Sequence, residues 1–72
     1  MDELSVRLQS LRESKRPLRS RRVTSELIGL SKNALQRYER GEAVPGTDAL
    51  VKIADYYSVS TDYLLGRTTY SK

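Results

Sequence analysis

The 72-residue chain contains no cysteine and no histidine. Without cysteine no disulfide can stabilise the fold, and without either residue the usual zinc-binding ligand sets cannot form. A chain of this length buries only about 60% of the surface that its unfolded form exposes, so a single domain is expected. We therefore expect stability to come from apolar packing, with dimerisation as a further source, and we expect neither a metal ion nor a cofactor.

Long apolar runs are also missing. The N-terminal residues Met1-Asp2-Glu3 are acidic, so the sequence predicts neither a transmembrane helix nor a secretory signal, and a cytoplasmic location is expected. Histidine and cysteine are absent, no glycine-rich phosphate loop occurs and the carboxylates are scattered, so no catalytic arrangement emerges. We predict that the chain is not an enzyme and binds no small-molecule substrate.

Positive charge is present in excess and is unevenly distributed. The formal net charge is +4, and the segment from Arg12 to Arg40 holds nine basic residues against three acidic ones, a net charge of +6 that leaves −2 for the rest. A basic middle with a mildly acidic remainder is typical of a surface that meets phosphates. A solvated polar surface is the alternative, and charge alone does not separate the two.

Apolar spacing predicts a helix over about residues 2–15, ended by Pro17, because a proline disfavours helical geometry in the residue before it. Ser20 is expected to cap a second helix over 21–28, and Gly29 to supply the tight turn that follows. Ser31 is expected to cap a third helix over about 32–40, which Gly41 ends.

A fourth helix is predicted over about 47–57 from a stripe of apolar residues at helical spacing. Ser60 or Thr61 should cap a last short helix that ends at Gly66. The remaining residues lack apolar periodicity. We predict one domain over 1–67, followed by a flexible C-terminal tail over 68–72.

The second and third helices, joined by a glycine-containing turn, form a helix-turn-helix pattern. The chain resembles the helix-turn-helix family of phage repressors, Cro proteins and xenobiotic-response-element regulators from about Val6 to Arg67. The matching motifs are Gly29-Leu30-Ser31, Leu35, Arg37-Tyr38-Glu39-Arg40-Gly41, Pro45 and the run from Leu50 to Gly66. This resemblance implies an all-α, five-helix, lambda-repressor-like DNA-binding domain, bacterial or phage-encoded, whose third helix enters the major groove.

The resemblance also implies which residues read bases. Lysine and arginine donate to guanine O6 and N7, and asparagine pairs with adenine N6 and N7. The candidates for base readout are Lys32, Asn33, Gln36 and Arg37. A solvated helix surface is the alternative for each, with more weight for Asn33 and Gln36.

The resemblance further implies a second set, which contacts phosphates and comprises Arg19, Arg21, Arg22, Ser31 and Arg40. For Arg19 and Arg22 an ordinary solvated surface arginine is the alternative. Glu39 lies inside this basic segment, where an unpaired carboxylate would repel DNA. By resemblance, Arg12 is its partner, and the ion pair would tie the first helix to the third.

The chain departs from the family in two places. The connection over 15–20 is about two residues longer than usual, and its basic residues either meet the DNA backbone or decorate a loop. In the second helix, Val23 and Leu27 are apolar where surface residues are typical, and Thr24 and Ser25 stand where Leu and Ala are common. A second helix that is rotated or shifted by one residue is expected from this pattern, which weakens the assignment of Arg21.

The sequence therefore predicts a regulator that binds double-stranded DNA. Tyr57 and Tyr63 are expected in the core, whereas Tyr56, Tyr70 and Leu65 could form a two-fold homodimer patch. Such a dimer would recognise a palindromic operator. The alternative is an antitoxin or protein-interaction adaptor on the same fold. RNA binding is disfavoured, because no aromatic residue is interleaved with the basic residues of the third helix.

Overall fold

A computed structural model describes residues 2–70, which form five α helices and no strand. The helices are α1 (Glu3–Ser14), α2 (Arg21–Ile28), α3 (Ala34–Glu39), α4 (Thr47–Tyr57) and α5 (Thr61–Leu64). The predicted all-α, five-helix fold is confirmed. Within residues 2–70, no helix is long and apolar enough to cross a membrane.

Side-chain caps explain where three of these helices begin. The Asp2 carboxylate accepts a hydrogen bond from the Ser5 backbone N–H at 2.8 Å, which lowers the pKa of Asp2. Ser20 Oγ accepts from the Val23 N–H at 3.1 Å, and Ser60 Oγ accepts from the Tyr63 N–H at 3.0 Å. Ser20 caps α2 as predicted, and of the two candidates for α5 the cap is Ser60.

Helix α3 starts later than the sequence predicts. Asn33 has φ −106° and ψ 5°, which is not regular helical geometry, so α3 begins at Ala34. Ser31 contributes its backbone carbonyl, which accepts from the Ala34 N–H at 3.0 Å. The prediction that the Ser31 side chain caps a helix over 32–40 is therefore wrong, and Lys32 and Asn33 lie in the turn before α3.

The core combines one fully buried apolar side chain from each of four helices. These are Leu8 of α1, Leu35 of α3, Ile53 of α4 and Leu64 of α5. Tyr57 packs against this cluster, as predicted. Tyr63 is not part of it and instead lies under the Arg7 guanidinium, 4.3 Å from the ring centroid.

Helix α2 faces the core with polar residues. Thr24 and Ser25 are 2% and 0% exposed, whereas Val23 and Leu27 are 45% and 53% exposed. The rotated or shifted helix expected from the sequence is therefore wrong. The inward face tolerates two hydroxyl groups because both form hydrogen bonds. Thr24 Oγ1 donates to the Ser20 carbonyl at 2.8 Å, and Ser25 Oγ accepts from the Leu35 N–H at 3.0 Å.

The C-terminal segment is attached to α1 as far as Thr68. Arg7 Nη1 donates to the Tyr63 and Thr68 carbonyls at 2.6 and 2.7 Å. Tyr70 is 80% exposed. The part of the predicted tail at 71–72 lies outside the described residues.

Candidate nucleic-acid interface

Gly29 closes α2 and turns the chain toward α3. Its φ of +96° is a left-handed conformation that glycine adopts without a Cβ clash. The backbone N–H groups of Gly29 and Leu30 both donate to the Ser25 carbonyl, at 3.1 and 2.8 Å. This arrangement satisfies a carbonyl at the end of α2, and Leu30 packs against the core. The turn between α2 and α3 is therefore held by both hydrogen bonds and apolar contact.

Helix α3 divides into an inward and an outward face. Ala34, Leu35 and Glu39 are buried against the domain. Gln36 and Arg37 lie on the other face, and two polar residues flank the helix, Asn33 before it and Arg40 after it. Among these, Asn33, Arg37 and Arg40 are exposed and Gln36 is half-buried.

The four base-readout candidates lie in one continuous segment. Lys32 and Asn33 are exposed in the turn that enters α3, and Gln36 and Arg37 follow on its outward face. Together the four candidates supply two cations and two amides, whereas the acidic residue of α3, Glu39, is buried against the domain. The outward face therefore offers hydrogen-bond donors that suit base edges.

The phosphate candidates lie around this segment in the chain. Arg21 and Arg22 occupy the first turn of α2, Ser31 lies in the turn before α3, and Arg40 follows the end of α3. Two of them have loose acidic neighbours at 3.7 Å, Glu26 for Arg22 and Glu42 for Arg40, and all four of these side chains are more than half exposed. Such surface ion pairs are weak, so each arginine can leave its acidic neighbour and bind another anion.

Arg19 lies in the connection between α1 and α2. Its backbone carbonyl accepts a hydrogen bond from Arg12 Nη1 at 3.3 Å, and its side chain is half-buried. Lys15, in the same connection, places its ammonium 5.0 Å from the ring centroid of Tyr56. The connection therefore contacts both α1 and α4.

Arg12 and Glu39 form a buried ion pair between α1 and α3. Arg12 Nε and Nη2 donate to the two carboxylate oxygens at 2.8 and 3.1 Å. The side chains are 14% and 1% exposed. The hydrogen bonds to Glu39 raise the pKa of Arg12, so the guanidinium stays charged at any physiological pH. The structure thus brings together the two residues expected to pair.

Two further residues contact α3, and the sequence analysis gave neither of them a functional role. Ser25 Oγ accepts from the Leu35 N–H, and Ser5 Oγ donates to the Tyr38 carbonyl at 2.9 Å. Both serines are buried. The available signal was a small polar residue at an inward helical position, which marks burial without naming a partner.

Comparisons with known proteins identify the family of this chain. A family model described as a helix-turn-helix domain matches residues 3–65. The chain is 42% identical over 53 residues to the HTH-type transcriptional regulator ImmR of Bacillus subtilis, which is 74% of this chain and 42% of that protein. It is 38% identical over 61 residues to the HTH-type transcriptional regulator AnsR of the same organism, 85% of this chain and 51% of AnsR.

A third relative is the cryptic phage CTXphi transcriptional repressor RstR of Vibrio cholerae, with 48% identity over 40 residues, 56% of this chain and 36% of RstR. The chain thus spans about a third to a half of the length of the curated relatives it matches. The resemblance inferred from the motifs is confirmed. Because the family model covers α1 through α5, the chain belongs to the helix-turn-helix domain family.

Proposed function

We propose that this protein is a sequence-specific regulator of transcription that binds double-stranded DNA with α3 in the major groove. The observation that carries the proposal is the separation of charge on α3. Arg37 and Arg40 point outward, while the carboxylate of Glu39 is 1% exposed and paired with Arg12. A helix in the major groove must present donors and cations without a competing carboxylate, and α3 has that arrangement.

Within this proposal, four residues read bases. Arg37 and Lys32 donate to guanine O6 and N7, whereas Asn33 and Gln36 form paired hydrogen bonds with adenine. All four belong to the turn before α3 and to its outward face. The relatives that are named as transcriptional regulators and as a phage repressor support a role of the whole domain in transcription.

Phosphate contacts position the domain without reading sequence. We assign them to Arg21 and Arg22 at the start of α2, to Ser31 before α3 and to Arg40 after it, with Arg19 assisting. Together they flank the base-reading segment on both sides in the chain. Neutralised phosphates release counterions, so the affinity of this protein for DNA falls steeply with salt.

The proposed regulator acts as a homodimer on a palindromic operator, in the bacterial cytoplasm and without catalysis. Leu65 and Tyr70 are 43% and 80% exposed, and both lie at or beyond the end of α5, where a two-fold contact would cover them. A two-fold dimer places two copies of α3 in successive major grooves, about 34 Å apart. The operator should therefore contain two inverted half-sites one helical turn apart.

The test is selection of bound duplexes from a random DNA pool by the purified protein, followed by binding of the enriched sequence across a salt series. The expected result is an inverted repeat that is bound at least about 1,000-fold more tightly than unrelated DNA. Weak binding that shows no sequence preference and disappears at physiological salt would contradict the proposal. Such a result would favour the alternative function, an antitoxin or adaptor that uses this fold to bind another protein.

A further inference from the structure

Helix α3 is too short to hold its own position. It has six residues, Ala34–Glu39, whereas isolated helices shorter than about 12 residues are marginal in water. The first four N–H groups and the last four carbonyls of a helix have no partner within it. A six-residue helix therefore has room for only two backbone hydrogen bonds within it. The turns on either side supply some of the missing partners, such as the Ser31 carbonyl for the Ala34 N–H and the Glu42 N–H for the Arg37 carbonyl, and side chains of other helices supply further ones.

At the N-terminal end, α2 supplies such a group. Asn33 stands at the capping position of α3 but makes no side-chain capping bond. Ser25 Oγ of α2 instead accepts a hydrogen bond from the Leu35 N–H at 3.0 Å, and both residues are 0% exposed. A side chain from the neighbouring helix therefore does what a local N-cap ordinarily does.

At the C-terminal end, α1 supplies the second group. Ser5 Oγ donates to the Tyr38 carbonyl at 2.9 Å, and Ser5 is 1% exposed. The same carbonyl also accepts from the Gly41 N–H at 3.2 Å. One buried hydroxyl thus bonds to the backbone near each end of α3, and the two hydroxyls come from different helices.

We propose that Ser25 and Ser5 are positioning residues for base reading, which hold α3 at a fixed translation and rotation against α1 and α2. This inference rests on the proposed function. Packing of Leu35 is non-directional and tolerates small displacements of the helix. A hydrogen bond weakens steeply as its length and angle depart from the optimum, so the two serines resist sliding and rotation. The backbone of α3, and with it Arg37, stays where base edges can be reached.

Helix α2 offers a matched control for this proposal. Thr24 is adjacent to Ser25, is 2% exposed and also carries a bonded hydroxyl. Its hydroxyl donates to the Ser20 carbonyl within its own segment and does not reach α3. Thr24→Val therefore removes a buried hydrogen bond from α2 without touching α3, whereas Ser25→Ala removes the bond between the two helices.

The first measurement is amide hydrogen exchange by NMR on the free protein, with the Ile53 amide of α4 as an internal reference. In Ser25→Ala the Leu35 amide should exchange up to about tenfold faster relative to Ile53, because a buried hydrogen bond is lost. In Thr24→Val the ratio of the two rates should stay at its wild-type value. An unchanged ratio in Ser25→Ala would overturn the proposal.

The second measurement is the ratio of the affinity for the selected operator to the affinity for unrelated DNA, at a temperature where circular dichroism shows every variant folded. Ser25→Ala should lower this ratio about three- to tenfold, while binding to unrelated DNA is unchanged because the phosphate contacts remain. Ser5→Ala should lower it less, since the Gly41 N–H still bonds to Tyr38. Thr24→Val should leave the ratio unchanged.

If Ser25→Ala and Thr24→Val lower the ratio of operator affinity to unrelated-DNA affinity equally, loss of stability alone explains the change. That result would overturn the positioning role. If Ser25→Ala does not fold, the DNA measurement is made on Ser5→Ala. A wild-type ratio of the two affinities in Ser5→Ala then overturns the proposal. A wild-type protein without any sequence preference would instead refute the proposed function. The exchange measurement does not depend on DNA, so the two failures are distinguishable.

Discussion

Arg12 of α1 and Glu39 of α3 are joined by two hydrogen bonds, of 2.8 and 3.1 Å, in a site where the carboxylate is 1% exposed. The pair holds the carboxylate on the inward side of α3 and ties the end of that helix to α1. Both effects depend on the guanidinium, because a buried carboxylate without a partner is strongly unfavourable.

Arg12→Met should therefore destabilise the protein by about 3 kcal/mol or more, because Glu39 is left buried and unpaired. The measurement is urea denaturation monitored by circular dichroism. Arg12→Met/Glu39→Gln should be less destabilised than Arg12→Met, since no buried charge remains. A double variant as unstable as the single one would contradict this explanation.

The control pair is Arg22 and Glu26, which lie 3.7 Å apart with side chains 66% and 60% exposed. Replacing Arg22 by alanine should change the free energy of unfolding by no more than about 0.5 kcal/mol. A large effect there would indicate a general response to charge removal.

Base readers and phosphate contacts should respond differently to alanine. Arg37→Ala should cost about 1 to 3 kcal/mol of operator binding and relax the preference at particular base pairs. Arg40→Ala should weaken binding to all sequences alike and reduce the slope of log affinity against log salt by about 1. Quantitative binding to single-base operator variants across salt concentrations separates the two.

Lys52 is the matched control, because it is an exposed cation on α4, outside the α2–α3 unit. Lys52→Ala should alter neither the preference nor the slope. If Arg37→Ala and Arg40→Ala behave identically, the division into readers and phosphate contacts is wrong.

Gly66 makes a close contact that only glycine permits. Its φ is +78°, and a Cβ added there would lie 2.7 Å from Glu3 Cβ. Gly66→Ala should therefore cost about 2 to 3 kcal/mol of stability, from backbone strain and steric overlap together. Thermal denaturation measures the effect.

Gly46 provides the comparison, since its φ is −71° and no atom lies within 4 Å of the added Cβ. Gly46→Ala should cost no more than about 1 kcal/mol, the scale of a changed N-cap. Equal losses at both glycines would argue against the contact between Gly66 and Glu3.

The Tyr57 hydroxyl is buried and has no hydrogen-bond partner within residues 2–70. Tyr57→Phe removes an unsatisfied polar group, so stability should be unchanged or rise by up to about 1 kcal/mol. A loss of stability would mean that the hydroxyl has a partner in solution.

Burial, with a smaller contribution from the Glu39 charge, also raises the pKa of Tyr57 to about 12. The folded state then holds this proton more tightly than the unfolded state, where the pKa is near 10.0. Stability from this group is present below pH 10 and is lost as the pH rises toward 12. Absorbance titration at alkaline pH should show one tyrosine near 12 that is missing in Tyr57→Phe.

Local signals in the sequence were sufficient to predict that the five helices exist and in which order they follow. Pro17 and Gly29 interrupt the helical pattern, Ser20 supplies a capping hydroxyl, and the spacing of Leu4, Leu8 and Leu11 marks the inward face of α1. Each of these effects acts within a few residues, so it can be read without knowing the fold. The start of α3 was misplaced because Ser31 has the right side chain for a cap but acts through its backbone carbonyl.

The sequence by itself determined the helical class and the order of the five elements, because helical periodicity and capping are local properties. Only the tertiary structure revealed the hydrogen bonds by which Ser5 and Ser25 reach α3, whereas the Arg12–Glu39 pair was already expected from the resemblance. Ser5 and Tyr38 are 33 positions apart in the chain, and Ser25 and Leu35 are ten apart. Hydrophobicity alone would place Val23 on the inward face of α2, yet the residue that lies there is Thr24. A hydroxyl is acceptable in a core only where a distant group completes its hydrogen bond, and that partner exists only once the helices have packed.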